Sequence, residues 1–286
     1  MKECAGIAEL RTLLRGERSA GRRIGLVPTM GALHEGHLSL VDRAATRTDT
    51  VVMSVFVNPL QFGPQEDFAR YPRDLDRDRK LAAGRGVSVL FTPEVATMYQ
   101  AGNVTRVVAG PVGQNWEGRE RPGHFDGVLT VVAKLFNIVE PDLAVFGQKD
   151  LQQATLIRQM VRDLDWPIEI VVAPTVREPD GLALSSRNAY LSSQDRAQGL
   201  GLSRALQAVE LAWQGGERGG PALERLARDE LKAFSGMTVD YIAVVDPERW
   251  EPVARADAGT VVAVAGRVGR GGTRLLDNVI LGQGTA

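Results

Sequence analysis

Short apolar runs alternate with longer amphipathic stretches over the first 175 residues of the chain. The apolar runs are rich in β-branched residues and hydrophobic on both faces, which is typical of strands covered on both sides in a parallel sheet. We therefore predict buried strands at Ile24–Met30, Thr50–Val57, Val87–Phe91, Leu143–Phe146 and Ile168–Val172.

The stretches between these strands repeat their apolar positions with the period of an α-helix. They predict helices at Ile7–Arg18, His37–Arg47, Glu66–Ala83, Gly127–Val139 and Asp150–Leu164. Strands and helices that alternate in this way predict an α/β fold with a doubly wound, Rossmann-like parallel sheet. Ligands of such sheets bind beyond the carboxyl ends of the strands, so polar residues at those ends are the first candidates for a site.

The pattern changes in the C-terminal part of the chain. Two helical segments, Ser193–Trp213 and Pro221–Phe234, are separated by a glycine-rich break at residues 215–220. Helices followed by strands favour a second, smaller α+β domain. We place the two domains at residues 1–175 and 176–286. The β-like runs that complete the second domain are Val239–Val245, Thr260–Val264 and Thr273–Leu281.

Composition excludes several classes of partner and cofactor. The 34 basic and 35 acidic side chains give a formal charge of −1, so no overall field attracts nucleic acid or an anionic membrane. The single cysteine, Cys4, excludes an internal disulfide and a multi-cysteine zinc site. No apolar run reaches the roughly 18 residues of a membrane helix, and the N-terminus lacks the apolar core of a secretion signal. We therefore expect a cytoplasmic protein that binds neither nucleic acid nor membranes.

The first candidate site follows the first predicted strand. Residues Pro28–His37 run from that strand through a turn with two glycines into a helix. Glycine lets the backbone approach a ligand, a helix N-terminus attracts anions, and the imidazoles of His34 and His37 can donate to phosphoryl oxygens. The structural alternative is that one histidine caps the helix and the other packs. Zinc binding is a weaker interpretation, because these histidines are three residues apart and the zincin motif needs them four apart on one helical face.

Polar amides follow the second predicted strand. Asn58 and Gln61 can both donate and accept hydrogen bonds, which suits the hydroxyl, amide or carboxylate groups of a small polar substrate. The structural alternative is that the Asn58 side chain holds the turn after Pro59.

A third candidate follows the predicted strand Leu143–Phe146. Lys149 can reach a phosphate as a point charge, and Asp150 can cap a helix or accept from a ribose hydroxyl. Gln153 lies one turn further into the helix and can face the same cavity. The alternative here is a capped helix with a solvated lysine.

A polar loop, Asp180–Asn188, opens the second domain. Its serines, backbone N–H groups and Arg187 can close over a polyphosphate, and the structural alternative is an ordinary linker that ends in a helix cap. Arg121 and His124 form a less specific cluster, for which a surface charge and a satisfied helix-start residue are the alternative. The sequence has no Gly-x-Ser-x-Gly elbow, no Cys–His arrangement and no Walker-type phosphate loop, so we expect direct transfer between bound substrates.

Taken together, these motifs closely resemble the family of pantoate–β-alanine ligases, relatives of the class I aminoacyl-tRNA synthetases and of other His-x-Gly-His nucleotidyltransferases. The resemblance runs over almost the whole chain. Its most specific blocks are His-Glu-Gly-His at 34–37, Gly-Gln-Lys-Asp at 147–150 and Leu-Ser-Ser-Arg-Asn at 184–188, and it extends to Thr-Arg-Leu-Leu-Asp-Asn at 273–278. It implies a homodimer that joins D-pantoate to β-alanine with ATP and Mg²⁺, through an enzyme-bound pantoyl adenylate, and releases AMP and pyrophosphate.

The resemblance also implies roles for single residues. His37 is the proton donor and His34 its partner at the phosphates, while Lys149 and Arg187 help to offset the charge that develops there. Gln61 and Gln153 hold pantoate, and Gln61 also meets β-alanine. The second domain, with its loop Asp180–Asn188, closes over the ATP site. The implied ATP-binding residues are Met30, Gly31, Ala32, Leu33, His34, Glu35, Gly36, His37, Gly147, Gln148, Lys149, Asp150, Val176, Leu184, Ser185, Ser186 and Arg187.

Two other functions stay open from the residues alone. A nucleotidyltransferase that couples a phosphorylated alcohol to ATP shares the histidine motif, and Gln61, Gln153 and the Leu-Ser-Ser-Arg block discriminate it from a ligase. A nucleotide-binding module on the same fold is the non-enzymatic alternative. The acidic residues at 74, 76 and 78 are interpreted as a solvated helix face, so no Mg²⁺ ligand is assigned.

Overall fold

The computed structural model of the protein describes residues 1–269 and 272–283. The chain forms two compact units: Met1–Gly147 together with Leu156–Ala173, and Gln148–Thr155 together with the chain from Pro174 onward. Within the described residues, none of the helices combines the length and the apolar character that a membrane span requires.

A parallel sheet forms the centre of the first unit. Its strands lie in the order β1-β4-β3-β2-β5-β6, and every neighbouring pair is parallel. The predicted doubly wound sheet is therefore confirmed. The strands are β1 (Lys2–Cys4), β2 (Ile24–Thr29), β3 (Thr50–Val55), β4 (Val89–Phe91), β5 (Leu143–Gly147) and β6 (Glu169–Ala173).

The strand order reverses at β2. This strand pairs with β3 on one side, where Ile24 is opposite Thr50, and with β5 on the other, where Gly25 is opposite Leu143. The carboxyl ends of β2 and β5 therefore mark the topological switch point, where doubly wound sheets place their ligands.

Helices cover this sheet because their apolar faces pack against its β-branched side chains. Val41 and Ala44, for example, share one buried cluster with Val27 and Met53. The helices are α1 (Ile7–Ser19), α2 (Glu35–Ala45), α3 (Leu75–Gly84), α4 (Val95–Met98), α5 (Glu117–Glu120), α6 (His124–Val139) and α7 (Leu151–Asp163).

The structure differs from the sequence analysis at the start of one helix and in an additional strand of this unit. The helix predicted over Glu66–Ala83 begins only at Leu75, because Pro72 disfavours helix at the residue before it and Asp74 caps α3 by accepting from the Arg77 N–H at 3.0 Å. Strand β1 was not predicted, because three residues are too short for an apolar pattern.

The described part of the second unit contains two complete helices, the first five residues of α7 and an antiparallel sheet of order β7-β8-β9, which confirms the predicted smaller α+β fold. Leu206 and Leu223 from the helices meet Val262 and Val279 from the strands in one buried cluster. The elements are α8 (Ser193–Gln214), α9 (Gly220–Leu231), β7 (Met237–Val245), β8 (Val261–Val268) and β9 (Thr273–Ile280).

Candidate active site

The turn after β2 can be built only with glycine at position 31. Gly31 has φ +83°, and a Cβ atom there would lie 2.9 Å from both Asp78 Oδ2 and Val55 Cγ1. The Thr29 hydroxyl fixes the start of the turn by donating to the Ser54 carbonyl at 2.7 Å. Sequence and packing together therefore give this turn one conformation.

Asp78 holds the same turn from helix α3. Its carboxylate is 1% exposed and accepts the backbone N–H groups of Ala32 at 2.9 Å and Leu33 at 2.8 Å. Burial raises the pKa of Asp78, although these two hydrogen bonds oppose the rise. The interpretation of Asp78 as part of a solvated face was wrong, whereas Asp76 on the same helix is largely exposed.

The two histidines lie together where helix α2 begins. His34 is the N-cap residue, its carbonyl accepts the N–H groups of His37 and Leu38, and the two imidazole centroids are 4.0 Å apart. The His34 backbone N–H donates to His37 Nδ1 at 3.4 Å. An Nδ1 that accepts a hydrogen bond leaves the proton of a neutral imidazole on Nε2, so His37 Nε2 is a donor beside a helix N-terminus.

Glu35, between the histidines, has a different environment. Its side chain is exposed, and its carboxylate lies 3.4 Å from Arg85 Nη2. A contact of Glu35 with a ligand would therefore come from its backbone.

Gln61 is buried in the 3-10 turn Pro59–Gln61, with both ends of its amide in contact. Its Oε1 accepts from Asn58 Nδ2 at 3.0 Å, and its Nε2 donates to Met30 Sδ at 3.0 Å. Asn58 also accepts from the Tyr99 hydroxyl at 2.9 Å and from the Leu60 N–H at 3.2 Å. Asn58 thus holds the turn, as its structural interpretation predicts, and also orients Gln61.

Arg121 and His124 support the same turn from the start of α6. His124 Nδ1 and Arg121 Nη2 both donate to the Gln61 carbonyl, at 2.8 and 3.2 Å. The Arg121 Nη1 donates to His124 Nε2 at 3.0 Å, so the histidine ring is neutral and carries its proton on Nδ1. Burial, assisted by the charge of Arg121, lowers the pKa of His124 to about 4.

Glu66 completes this cluster. Its two carboxylate oxygens accept from Arg121 Nε and Nη2, each at 2.7 Å. Burial acts to raise the pKa of Glu66, but the hydrogen bonds and charge of Arg121 outweigh it and lower the pKa to about 2. The Arg121 side chain is only 9% exposed, so its interpretation as a surface charge was wrong, while His124 is a satisfied helix-start residue.

The second unit begins with a 3-10 turn, Gln148–Asp150, directly after Gly147 at the end of β5. Lys149 Nζ lies 3.2 Å from the carboxylate of Asp150. Gln153 follows as the third residue of α7 and is half-buried.

The polar loop has a defined hairpin conformation. The Leu184 N–H donates to the Val176 carbonyl at 2.9 Å, and Gly181, with φ +95°, occupies the turn between them. Ser185 Oγ then accepts from the Arg187 N–H at 3.3 Å as the loop enters a 3-10 turn.

A cleft in the second unit brings several predicted residues together. Lys149, Ser185 and Arg187 line one cleft, although they are distant in sequence. It holds three cationic side chains, Lys149, Arg187 and Arg274, and a serine hydroxyl, which suit an anion. The other lining residues are Leu182, Ala183, Leu202, Leu275, Leu276 and Asp277.

Sequence reasoning assigned no role to two residues that support these turns, Asp78 and Tyr99. One signal was present for Asp78, since it is four residues before the buried Ala82 and so lies on the inner face of α3. Among residues 1–269 and 272–283, no group of three or more His, Cys, Asp or Glu side chains is arranged to hold a metal ion.

Comparison with known proteins gives concordant matches. The family model described as pantoate-beta-alanine ligase matches residues 2–280. A pantothenate synthetase of Moorella thermoacetica is 52% identical over 275 residues, which are 96% of each chain.

Two solved structures extend the comparison. A pantothenate synthetase of Thermus thermophilus is similar with a TM-score of 0.92 at 51% identity, covering 98% of this chain and 99% of its own. A pantoate-beta-alanine ligase of Francisella tularensis, complexed with beta-gamma ATP and β-alanine, has a TM-score of 0.82 at 33% identity and full coverage of both chains.

Proposed function

The chain belongs to the pantoate–β-alanine ligase family and makes pantothenate from pantoate and β-alanine with ATP, and we propose that it does so through a pantoyl adenylate. In the first step the carboxylate of D-pantoate attacks the α-phosphorus of ATP, a new P–O bond forms, and pyrophosphate leaves. In the second step the amine of β-alanine attacks the acyl carbon and AMP leaves. The Francisella tularensis relative, solved with beta-gamma ATP and β-alanine, supports ATP and β-alanine as substrates.

The arrangement of His34 and His37 carries the proposal for the first step. Negative charge grows on phosphoryl oxygens as pyrophosphate leaves, and donors already in place stabilise that charge most effectively. His37 offers Nε2–H at the positive end of α2, with the centroid of the His34 ring 4.0 Å away and its plane tilted by 36°. We assign His37 as the proton donor and His34 as its partner at the phosphates.

The remaining turn residues bind ATP mainly through the backbone. Within this turn the backbone N–H groups of Glu35 and Gly36 lie at the start of α2, a geometry that suits phosphate, whereas those of residues 31–34 donate to nearby side chains. Asp78 fixes the Ala32 and Leu33 part of the turn. This support explains how a turn with few charged side chains can keep one ligand-binding geometry.

Residues of the second unit bind ATP by charge. Lys149 and Arg187 line one cleft with Ser185, where both cations can offset phosphate charge. We assign Gly147–Asp150, Val176 and Leu184–Arg187 to ATP binding. Leu184 stands where the family often has methionine, and the two side chains have nearly the same volume.

Gln61 and Gln153 are assigned to pantoate, and Gln61 also to β-alanine. An amide can meet both the hydroxyl and the carboxylate of pantoate, because it both donates and accepts. Asn58, His124 and Arg121 hold Gln61 at two atoms, its side-chain and backbone carbonyl oxygens, which reduces the ordering that substrate binding would otherwise require.

We further propose that Mg²⁺ enters with ATP, that the working form is a homodimer and that the enzyme is cytoplasmic. Mg²⁺ is usually held by phosphate oxygens, waters and one or two carboxylates, and Asp150 beside Lys149 offers one such carboxylate. When bound, the ion adds electrostatic stabilisation of the phosphates. The dimer is supported by family resemblance, and light scattering of the purified protein measures it directly.

The two half-reactions can be measured separately. Purified protein with ATP, Mg²⁺ and pantoate should exchange labelled pyrophosphate into ATP, and the exchange should require pantoate. Addition of β-alanine should convert the intermediate to pantothenate with one AMP released per product. Exchange that requires a phosphorylated alcohol instead of pantoate, or ATP binding without AMP release, would contradict the assignment.

A further inference from the structure

The last strand of the second unit makes an unusual contact with the Gln148–Asp150 turn. The Asn278 side chain, on β9 and buried, donates from Nδ2 to the carbonyls of Gln148 at 2.8 Å and Lys149 at 2.9 Å. In return, Gln148 Nε2 donates to Asn278 Oδ1 at 3.3 Å. Carbonyls only accept, so the orientation of the amide is fixed, and both of its N–H groups are used on two consecutive peptide units.

The neighbouring residue extends the contact to the polar loop. The Asn278 backbone N–H donates to Asp277 Oδ1 at 2.8 Å. The buried Asp277 carboxylate accepts a two-point contact from Arg177, at 2.6 and 3.1 Å, and Arg177 Nη1 also donates to the Gly181 carbonyl at 3.2 Å. One continuous network therefore joins the Lys149 peptide, strand β9 and the turn of the loop.

Strand β9 is a rigid base for this network. It pairs with β8 along its whole length, with Asn278 opposite Ala263 and Asp277 opposite Val264. The three-residue turn and the loop contribute Lys149, Ser185 and Arg187 to the same cleft. Short turns and loops are the mobile parts of a fold, so their relative position has to be set by something they both touch.

We propose that Asn278 is a positioning residue for adenylation. It sets the backbone of Gln148 and Lys149 so that the Lys149 ammonium faces the ATP phosphates. Together with Asp277 it also fixes the Val176–Arg187 loop to strand β9. This inference rests on the proposed role of Lys149 in binding ATP. It assigns a positioning function to Asp277 and Asn278.

Asn278→Ala tests the proposal in the pantoate-dependent exchange of pyrophosphate into ATP. A displaced catalytic group costs about 10- to 100-fold in rate, so kcat/KM for ATP should fall by that factor while KM for pantoate stays unchanged. Lys149→Ala should also cost much less in the Asn278→Ala background than in the native protein, because the two residues act as one unit.

Thr155→Val is the matched control. Thr155 is also buried in this unit, and its hydroxyl donates to the Pro247 carbonyl and accepts from Trp250 Nε1, each at 3.2 Å. The control loses comparable hydrogen bonds without touching the turn, so its Tm should fall while its ATP kinetics stay native. The proposal would be overturned if Asn278→Ala likewise lowered Tm and left the ATP kinetics native. It would also be overturned if the effects of Asn278→Ala and Lys149→Ala on kcat/KM for ATP were additive.

A milder variant keeps the test informative if Asn278→Ala does not fold. Asn278→Ser keeps one short donor, and it should show a smaller loss of kcat/KM for ATP in the same direction; native ATP kinetics in this variant would also refute the role. Native protein without pantoate-dependent exchange would instead refute the proposed function, so the two failures are distinguishable.

Discussion

His37 shows at the scale of one residue how local geometry prepares a donor. Its Nδ1 is occupied by the His34 backbone N–H, so the helix start itself selects the tautomer that donates from Nε2. Lys149 has no such internal constraint, and its charge is balanced by Asp150 until a phosphate competes for it.

His37→Ala and Lys149→Ala should each leave a folded protein with little turnover. Removal of one preorganised donor costs about 3–4 kcal/mol of barrier in comparable sites, which is a loss of about 10²–10³ in kcat. Steady-state pantothenate formation and far-UV circular dichroism measure the two properties. Lys232→Ala, which removes an exposed lysine paired with Asp229, is the control and should keep native turnover.

At the scale of elements, helix α6 packs directly against the 3-10 turn that carries Gln61. A Cβ atom on Gly127 would lie 2.1 Å from the Leu60 carbonyl oxygen and 2.7 Å from the Gln61 nitrogen. Asn58 Nδ2 closes the same contact by donating to the Gly127 carbonyl at 3.0 Å. The backbones touch here, and only glycine permits it.

Gly127→Ala should therefore destabilise the protein by about 3 kcal/mol. The added methyl group meets backbone that cannot move without displacing Gln61, so the activity of the folded variant should also fall. Gly16→Ala is the matched control: it is also inside a helix, but its Cβ would meet nothing within 4 Å. That change should instead stabilise by about 0.5–1 kcal/mol. Urea unfolding of both variants compares the two, and equal effects would refute the close contact.

The polar loop is an element that we expect to respond to ligands. An acyl adenylate hydrolyses if water reaches it, so the loop Asp180–Asn188 should close during the reaction. Limited proteolysis should cut this loop more slowly with ATP and pantoate together than with neither ligand. Equal cleavage rates in both conditions would count against closure.

At the scale of the whole molecule, buried ionisable groups make stability depend on pH. The pKa of Glu66 is lowered, so its contribution is complete above its ordinary value near 4.5 and is lost as pH falls toward 2. The pKa of His124 is also lowered, so as the pH falls the unfolded chain takes up a proton at His124 before the folded protein does. The stability that the neutral ring contributes is therefore complete above about pH 6.5 and is lost as the pH falls to about 4.

The unfolding free energy of the native protein should therefore fall between pH 6.5 and pH 4, with about 3 kcal/mol attributable to His124. His124→Asn retains a donor for the Gln61 carbonyl but does not titrate, so its profile should be flatter over this interval. Subtraction of the two profiles removes groups common to both, including Asp78. Parallel profiles would show that His124 is not buried as a neutral ring.

The sequence by itself determined the apolar strands and the local motifs of this protein. Apolar runs predicted the strands because a covered parallel strand must be hydrophobic on both faces, and the glycine-histidine block predicted a ligand-binding turn because it follows such a strand. Only the tertiary structure decided which distant residues support those motifs. Asp78 reaches the turn at 32–33 from another helix, and Asn278 reaches the Lys149 peptide across 129 positions of sequence. The reason is physical: periodicity reports which face of an element is buried, whereas a hydrogen bond between elements depends on how they pack, which no local pattern encodes.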